Sequence, residues 1–224
     1  MAKPAGVAKD QQRALGELSA LAGIKRFYLA GGAAIAWHLG HRRSRDLDLF
    51  SFDGEVDLAN LKRALERSRI EIEVLSEGEA SLKVRVLGVP VDVVRYPYPL
   101  LEPPLAGPAG FAVAQLTDLG AMKLAAVSTR GIYRDFWDLF EIARDQVPLA
   151  QLVKAHRRRF GLRRADAYHL ARALTYFEDA ERIRRLPAGL TPVRWAEIKA
   201  FFCTEAPNLL KLNQNLNLKD SPKH

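Results

Sequence analysis

Apolar positions recur at helical spacing over residues 11–21, where leucines and alanines share one side until Gly23 interrupts them, so this segment is read as a helix. A β-rich run at 26–30 follows, then Gly31-Gly32, then a short apolar helix at 33–39. Residues 40–45 form a polar, basic loop, and 46–50 alternate polar and apolar side chains as a half-buried strand does. Residues 56–68 place Leu58, Leu61 and Leu65 on one side of a helix. Three β-rich runs come next at 70–75, 82–87 and 89–95, the last two joined at Gly88 by a tight turn that predicts a hairpin. Five prolines between 97 and 108 cannot continue a strand or helix and predict a surface connection. Beyond them the period is helical over 117–129, 134–145, 149–160, 165–185 and 191–204, and 211–224 reads as a polar, Asn-rich tail. The expected class is α/β: a small mixed sheet flanked by helices in residues 1–147, a helical unit in 148–205, and a tail in 206–224.

Composition narrows this picture by exclusion. With 224 residues, 48% hydrophobic and 27% charged, the chain is neither fibrous nor disordered. A single cysteine, Cys203, makes neither an internal disulfide nor a Cys-rich zinc site. The longest uncharged apolar run, residues 27–41, has 15 residues and is too short to span a bilayer. The opening MAKPAGVAKD has no signal-type apolar region, so a cytoplasmic location without membrane contact is expected. The net charge of +8 is unevenly placed: residues 1–150 carry 19 basic and 19 acidic side chains, residues 151–224 carry 15 and 7. A polyanion-binding appendage on a neutral core would produce that split, as would a solvated basic helical face.

The candidate chemistry starts at RDLDLF. On a strand Asp46 and Asp48 project from one face about 7 Å apart, with Leu47 and Leu49 on the other. Two aligned carboxylates repel unless a cation lies between them, and their hard oxygens suit Mg²⁺ or Mn²⁺. Upstream, strand, Gly31-Gly32 and helix supply a close backbone approach and helix-start N–H groups that attract phosphate. This is neither a Walker A loop nor a dinucleotide fingerprint, since no GK[ST] and no GxGxxG is present. Asp92 interrupts the apolar strand VPVDVVR and is the candidate third acid; an edge-strand acid facing water is the alternative. Arg157, Arg158, Arg159, Arg163 and Arg164, with His156 and Phe160 interleaved, form a basic cluster suited to binding a phosphate-bearing polyanion. Tyr168 and Tyr176 are expected to be buried on their helix rather than to stack on bases, and His38, beside Trp37, to be a packed histidine.

In order, AGGAAIAWHLGHRRSRDLDLF, VDVV and DLGAMKLAAVSTRGIYRDFWDLFEI resemble the AbiEii/AbiGii group of toxin nucleotidyltransferases in the DNA polymerase β-like superfamily. ALTYFEDAE and WAEIKAFF are similar to the helical tail of one branch, so the resemblance covers residues 27–205. The double glycine stands where many superfamily members have glycine-serine, which removes a hydroxyl from the phosphate site.

The resemblance implies Mg²⁺- or Mn²⁺-dependent transfer of a nucleoside monophosphate from an NTP to a hydroxyl, with tRNA or another RNA as acceptor and a cognate antitoxin as partner. Asp46, Asp48 and Asp92 would hold metal, and Asp92 would accept the nucleophile's proton. Gly31 and Gly32 would bind phosphate through backbone N–H groups, with Arg42 and Ser44 in phosphate or loop-ordering contacts. Lys123 would neutralise the triphosphate, Asp135 would orient the lysine or the nucleotide, and Arg134 would contact phosphate or pair locally. Asp138 shares the face of Asp135, and a role at the helix dipole is the alternative for both. Modification of a protein side chain by the same site, or a non-catalytic nucleotide- or RNA-binding module, remain alternatives; three acids facing a phosphate argue against mere binding.

Overall fold

The computed structural model describes residues 7–161 and 166–219, with side chains in the second stretch described for 168–209. The chain divides into two compact units, residues 1–119 and 120–224. This boundary falls earlier than 147 because the residues after it pack with the helices that follow.

The first unit is built on one seven-stranded sheet. Its strands are β1 (Phe27–Ala30), β2 (Leu47–Ser51), β3 (Ile72–Glu77), β4 (Ser81–Val86), β5 (Val89–Val94), β6 (Leu105–Ala106) and β7 (Ala112–Val113), in the order β3-β4-β5-β2-β1-β7-β6. β3, β4 and β5 form an antiparallel meander, β5 runs parallel to β2, β2 antiparallel to β1, and β1 parallel to β7. The sheet is mixed, as the pattern predicts. The β4–β5 turn has Leu87 at φ 49° and Gly88 at φ 81°, the positive angles a two-residue hairpin turn requires. β6 and β7 depart from the expectation for the proline segment: each is two residues long, bounded by Pro104 and Pro108 on one side of the hairpin, too short to show a period. Buried Asp118 accepts hydrogen bonds from the N–H groups of Leu101 (2.9 Å) and Glu102 (3.2 Å), which pins this segment.

Three helices complete the unit: α1 (Lys9–Ser19), α2 (Gly31–Leu39) and α3 (Leu58–Arg67). α1 buries Ala14, Leu15 and Leu18, α2 buries Ala33, Ala34 and Ile35, and α3 buries Leu61 and Leu65. On the sheet, alternation buries Leu47 and Leu49 of β2, Leu82, Val84 and Val86 of β4, and Val91 and Val93 of β5. Burial of such side chains, at about 1.5–3 kcal/mol each, drives the assembly. It also leaves Asp48, Lys83 and Asp92 on the less covered face.

The second unit is helical. α4 (Leu116–Thr129) leads into it, followed by α5 (Tyr133–Asp145), α6 (Leu149–Phe160), α7 (Asp166–Leu174), α8 (Glu178–Glu181) and α9 (Pro192–Lys219). Phe136 of α5 is fully buried against Phe177 (5.2 Å between ring centroids), Trp195 (5.8 Å) and Phe202 (5.7 Å). Glu141 of α5 accepts from Trp137 Nε1 (2.9 Å) and from Arg194 Nη2 (2.8 Å). α5 therefore belongs with α9, which is why the boundary precedes it. The helix expected over 165–185 is two helices, because Phe177 turns inward between Phe136 and Trp195 (5.7 Å) and breaks the period. The expected polar tail is a continuation of α9 to Lys219; residues 220–224 lie outside the described residues. Among the described residues no helix is long and apolar enough to cross a membrane.

Candidate active site

The first unit holds Gly31, Gly32, Arg42, Ser44, Asp46, Asp48 and Asp92 of the anticipated residues. Parallel pairing sets Asp48 of β2 opposite Asp92 of β5, and antiparallel pairing sets Ala30 of β1 opposite Asp48. Strand alternation puts both carboxylates on one face, on strands about 4.8 Å apart. Gly31 opens α2 at φ +59°, and a Cβ built there would lie 1.9 Å from Asp48 Oδ2. The carboxylate thus occupies the space a side chain would take, beside the start of α2, where the helix dipole favours negative charge. A Cβ on Gly32 would lie 2.6 Å from Arg42 Nη2 and 3.2 Å from Ser44 Oγ, so the Arg42–Ser44 loop comes back over the glycine pair. Ser44 Oγ donates to the Asp46 carbonyl (3.2 Å). Asp46 lies just before β2 rather than in it, and is exposed.

The three-carboxylate set is not gathered as expected. Among the described residues no group of three or more His, Cys, Asp or Glu side chains stands close enough to hold a metal ion. Asp48 and Asp92 offer adjacent hard oxygens of the kind Mg²⁺ takes, but Asp92 Oδ2 is paired at 3.1 Å with Lys83 Nζ of β4. Lys83 is a residue that pattern reading misses. The signal was present: counting back from the Leu87-Gly88 turn pairs Val86 with Val89, Arg85 with Pro90, Val84 with Val91 and Lys83 with Asp92. Gln11 is the second such residue. It is buried on α1, and its Nε2 donates at 3.4 Å to the carbonyls of Ser44 and Asp46, supporting the loop that presents the first acid. A glutamine in step with Ala14, Leu15 and Leu18 on an apolar helix face is its sequence signature. His38 packs as expected: its Nε2 meets the Ala114 carbonyl at 2.9 Å, its ring meets Trp37 edge-on at 4.9 Å, and burial pulls its pKa down.

The second unit holds a buried ion cluster. Lys123 Nζ of α4 lies 3.0 Å from Asp135 Oδ1 and 2.8 Å from Asp138 Oδ2 of α5; the lysine side chain is 9% exposed and both aspartates are 0%. Arg130 Nε and Nη2 donate to the two Asp135 oxygens at 2.7 and 2.9 Å, and its side chain is 60% exposed. Burial alone would lower the Lys123 ammonium, but Asp138 and Asp135 together outweigh it and hold its pKa above the ordinary lysine value. Burial would likewise raise Asp135, but the Arg130 hydrogen bond and the Lys123 charge hold it below the ordinary carboxylate value. Asp138 is thus a direct partner of Lys123, and Arg130 is a member that the spacing argument did not single out. Arg134, on α5, is half-buried.

The basic cluster is divided. Arg157 is half-buried and Arg158 exposed on α6, whereas Arg159 is 4% exposed and therefore not part of an open face; Arg163 and Arg164 lie outside the described residues. Tyr168 and Tyr176, expected to be buried, are both exposed.

The class is a nucleotidyltransferase on an α/β core, as the family match shows. The family described as the nucleotidyl transferase AbiEii toxin of type IV toxin-antitoxin systems matches the chain over residues 13–85 and 67–212, and the chain belongs to it. An uncharacterized protein of Aquifex aeolicus (strain VF5) is 31% identical over 197 residues, 87% of this chain and 93% of that one. The fold is shared with MenT4, a nucleotidyltransferase toxin of Mycobacterium tuberculosis H37Rv, at TM-score 0.54 and 21% identity over 91% of this chain and 90% of that one. It is also shared with JHP933 of Helicobacter pylori, at TM-score 0.50 and 15% identity over 93% and 94%.

Proposed function

We propose that this nucleotidyltransferase moves a nucleoside monophosphate from an NTP to a hydroxyl at the 3′ end of tRNA, as the toxin partner of a cognate antitoxin. The observation that carries the reading is the placement of Asp48 beside Asp92, against the glycine-opened start of α2. Backbone N–H groups at Gly31 and Gly32, with Arg42 and Ser44 over them, bind phosphate oxygens. Asp48 and Asp92 would offer adjacent oxygens to Mg²⁺ or Mn²⁺, which when bound offsets the charge that develops on the transferring phosphoryl group, and Asp46 in the loop before β2 would complete the set. The acceptor oxygen bonds to the α-phosphorus, the bond from that phosphorus to the bridging oxygen breaks, pyrophosphate leaves, and Asp92 takes the hydroxyl proton. Within the second unit, Asp135 and Asp138 fix the direction of Lys123 in a buried ion cluster, and a phosphate contact is proposed for Lys123 and Arg134. Arg157 and Arg158, with Arg163 and Arg164, bind the polyanionic acceptor, and the chain works in the cytoplasm.

The test is incubation of the purified chain with each radiolabelled NTP, total tRNA and Mg²⁺, followed by separation of labelled RNA from labelled protein. Label is expected in tRNA from one NTP. Asp48→Ala and Asp92→Ala, folded by circular dichroism, should each lose at least roughly 100-fold of the rate. Label confined to protein would overturn the RNA acceptor, and near-normal turnover in Asp48→Ala would overturn the site.

A further inference from the structure

One row of side chains crosses the open face of the sheet: Ser76 of β3, Lys83 of β4, Asp92 of β5, Asp48 of β2 and Ala30 of β1 are successive register partners. Two carboxylates side by side in that row repel each other, and the row contains one cation. Lys83 Nζ sits 3.1 Å from Asp92 Oδ2, with side chains 51% and 34% exposed, so the pair is accessible rather than locked in the core. The neighbouring charges are already matched. Arg85 pairs with Glu73, Lys62 with Glu77 at 2.6 Å and Arg95 with Glu79 at 3.5 Å, leaving Lys83 directed inward to Asp92 rather than outward to the acids around β3.

We propose that Lys83 is the resident counter-ion of Asp92: a positioning residue that balances the acidic row in the absence of metal and must give up the carboxylate before a divalent cation can take it. The inference rests on Asp92 being a metal-holding acid, as proposed above. Cation entry is then an exchange. The ammonium leaves Oδ2, the divalent ion takes that oxygen, and no covalent bond changes. A positive charge about 3 Å from a ligand oxygen opposes a second cation at the same oxygen, by an amount that salt screens at an exposed site. Lys83 therefore weakens metal binding by the protein alone.

The experiment is calorimetric titration of the full chain with Mn²⁺ alone, at low and at 0.5 M salt, for wild type, Lys83→Met, Lys83→Arg and Asp92→Asn. Lys83→Met keeps the apolar stem and removes the charge, and should tighten Mn²⁺ binding by at least about threefold at low salt, with the gain shrinking at high salt. Lys83→Arg should stay near wild type. Asp92→Asn should weaken binding, and in the double variant Lys83→Met should bring no gain, because its effect passes through Asp92. If Asp92→Asn weakens binding but Lys83→Met leaves it unchanged or weaker, the counter-ion role is overturned and the metal site stands. If Asp92→Asn binds Mn²⁺ as wild type does, the metal role of Asp92 falls and the counter-ion role with it. A structural role for Lys83 would loosen the site on its removal, which is the opposite sign.

Discussion

At the scale of single residues, the two adjacent glycines differ in what surrounds them, and the difference is measurable. A Cβ at Gly31 would stand 1.9 Å from Asp48 Oδ2, in a backbone conformation, φ +59°, that L side chains rarely adopt. At Gly32 the nearest atom is Arg42 Nη2 at 2.6 Å, the far end of a long side chain that can move away. Gly31→Ala should therefore displace the Asp48 carboxylate and lower the transfer rate at least roughly 100-fold, with a stability loss of about 1–3 kcal/mol from the backbone. Gly32→Ala should cost about tenfold or less. Initial rates with thermal unfolding of both variants check this; equal losses would dismiss the close approach at Gly31 as the cause. The glycine pair, Asp48 and Asp92 were legible in the sequence because a Gly-Gly pair stands between strand and helix, Asp48 falls on the polar side of an alternating strand, and Asp92 interrupts an apolar one. Lys83 and Gln11 were not, because an outward lysine on a strand and a glutamine on a helix look ordinary until register and packing give them partners. Arg159 misled in the other direction: a run of three arginines reads as one surface, yet a helix turns about 100° per residue and sends one of them into the core.

Among elements, the contact of α4 with α5 carries a buried ion cluster. Removing one member of a buried ion cluster leaves the others uncompensated, so Asp135→Asn should destabilise the fold by about 3 kcal/mol at neutral pH, measured by denaturant unfolding. Asp135 has its pKa lowered in the folded protein, so its contribution is present above the ordinary carboxylate range and is lost as pH falls through the depressed folded value. The wild-type advantage over Asp135→Asn should accordingly shrink on acidification. Lys123 has its pKa raised, so its contribution is complete below the ordinary lysine value and is lost only as pH rises through the elevated folded one. An advantage that instead grew in acid would show that the carboxylate is not ionised in the fold. RDFWDL announced this helix by its alternation of acids and aromatics, but not that Asp138 reaches Lys123 at 2.8 Å, since three-residue spacing puts two acids on one face without saying what lies opposite. β6 and β7 were illegible for a different reason: strands of two residues have no period, and β7 exists because β1 offers it a parallel edge. The break between α7 and α8 is likewise tertiary, produced by the burial partners of Phe177.

For the whole molecule, charge follows the division into units. Residues 1–119 carry 15 basic and 15 acidic side chains, residues 120–224 carry 19 and 11, so the entire +8 belongs to the second unit. The split at residue 150 places the same +8 in residues 151–224, within that unit, and it gives the acceptor-binding proposal a test that separates surface from core. Each phosphate neutralised releases counterions and adds about 0.7–0.9 to the slope of log affinity against log salt. Arg157→Glu with Arg158→Glu alters two accessible side chains of α6 and should lower the slope of tRNA binding by roughly 1.5, while NTP affinity is largely spared. Arg159→Ala should behave differently. Its side chain is buried, so its loss should lower the unfolding midpoint and leave the salt slope where it was. Filter-binding titrations of tRNA from about 0.05 to 0.3 M salt, beside nucleotide affinity and thermal unfolding for the same variants, resolve the alternatives. An unchanged slope in the double variant would make Arg157 and Arg158 a solvated face. A loss of NTP affinity with RNA binding intact would assign them to the nucleotide, and a flattened slope in Arg159→Ala would mean that this arginine, buried in the free protein, turns outward to meet the acceptor.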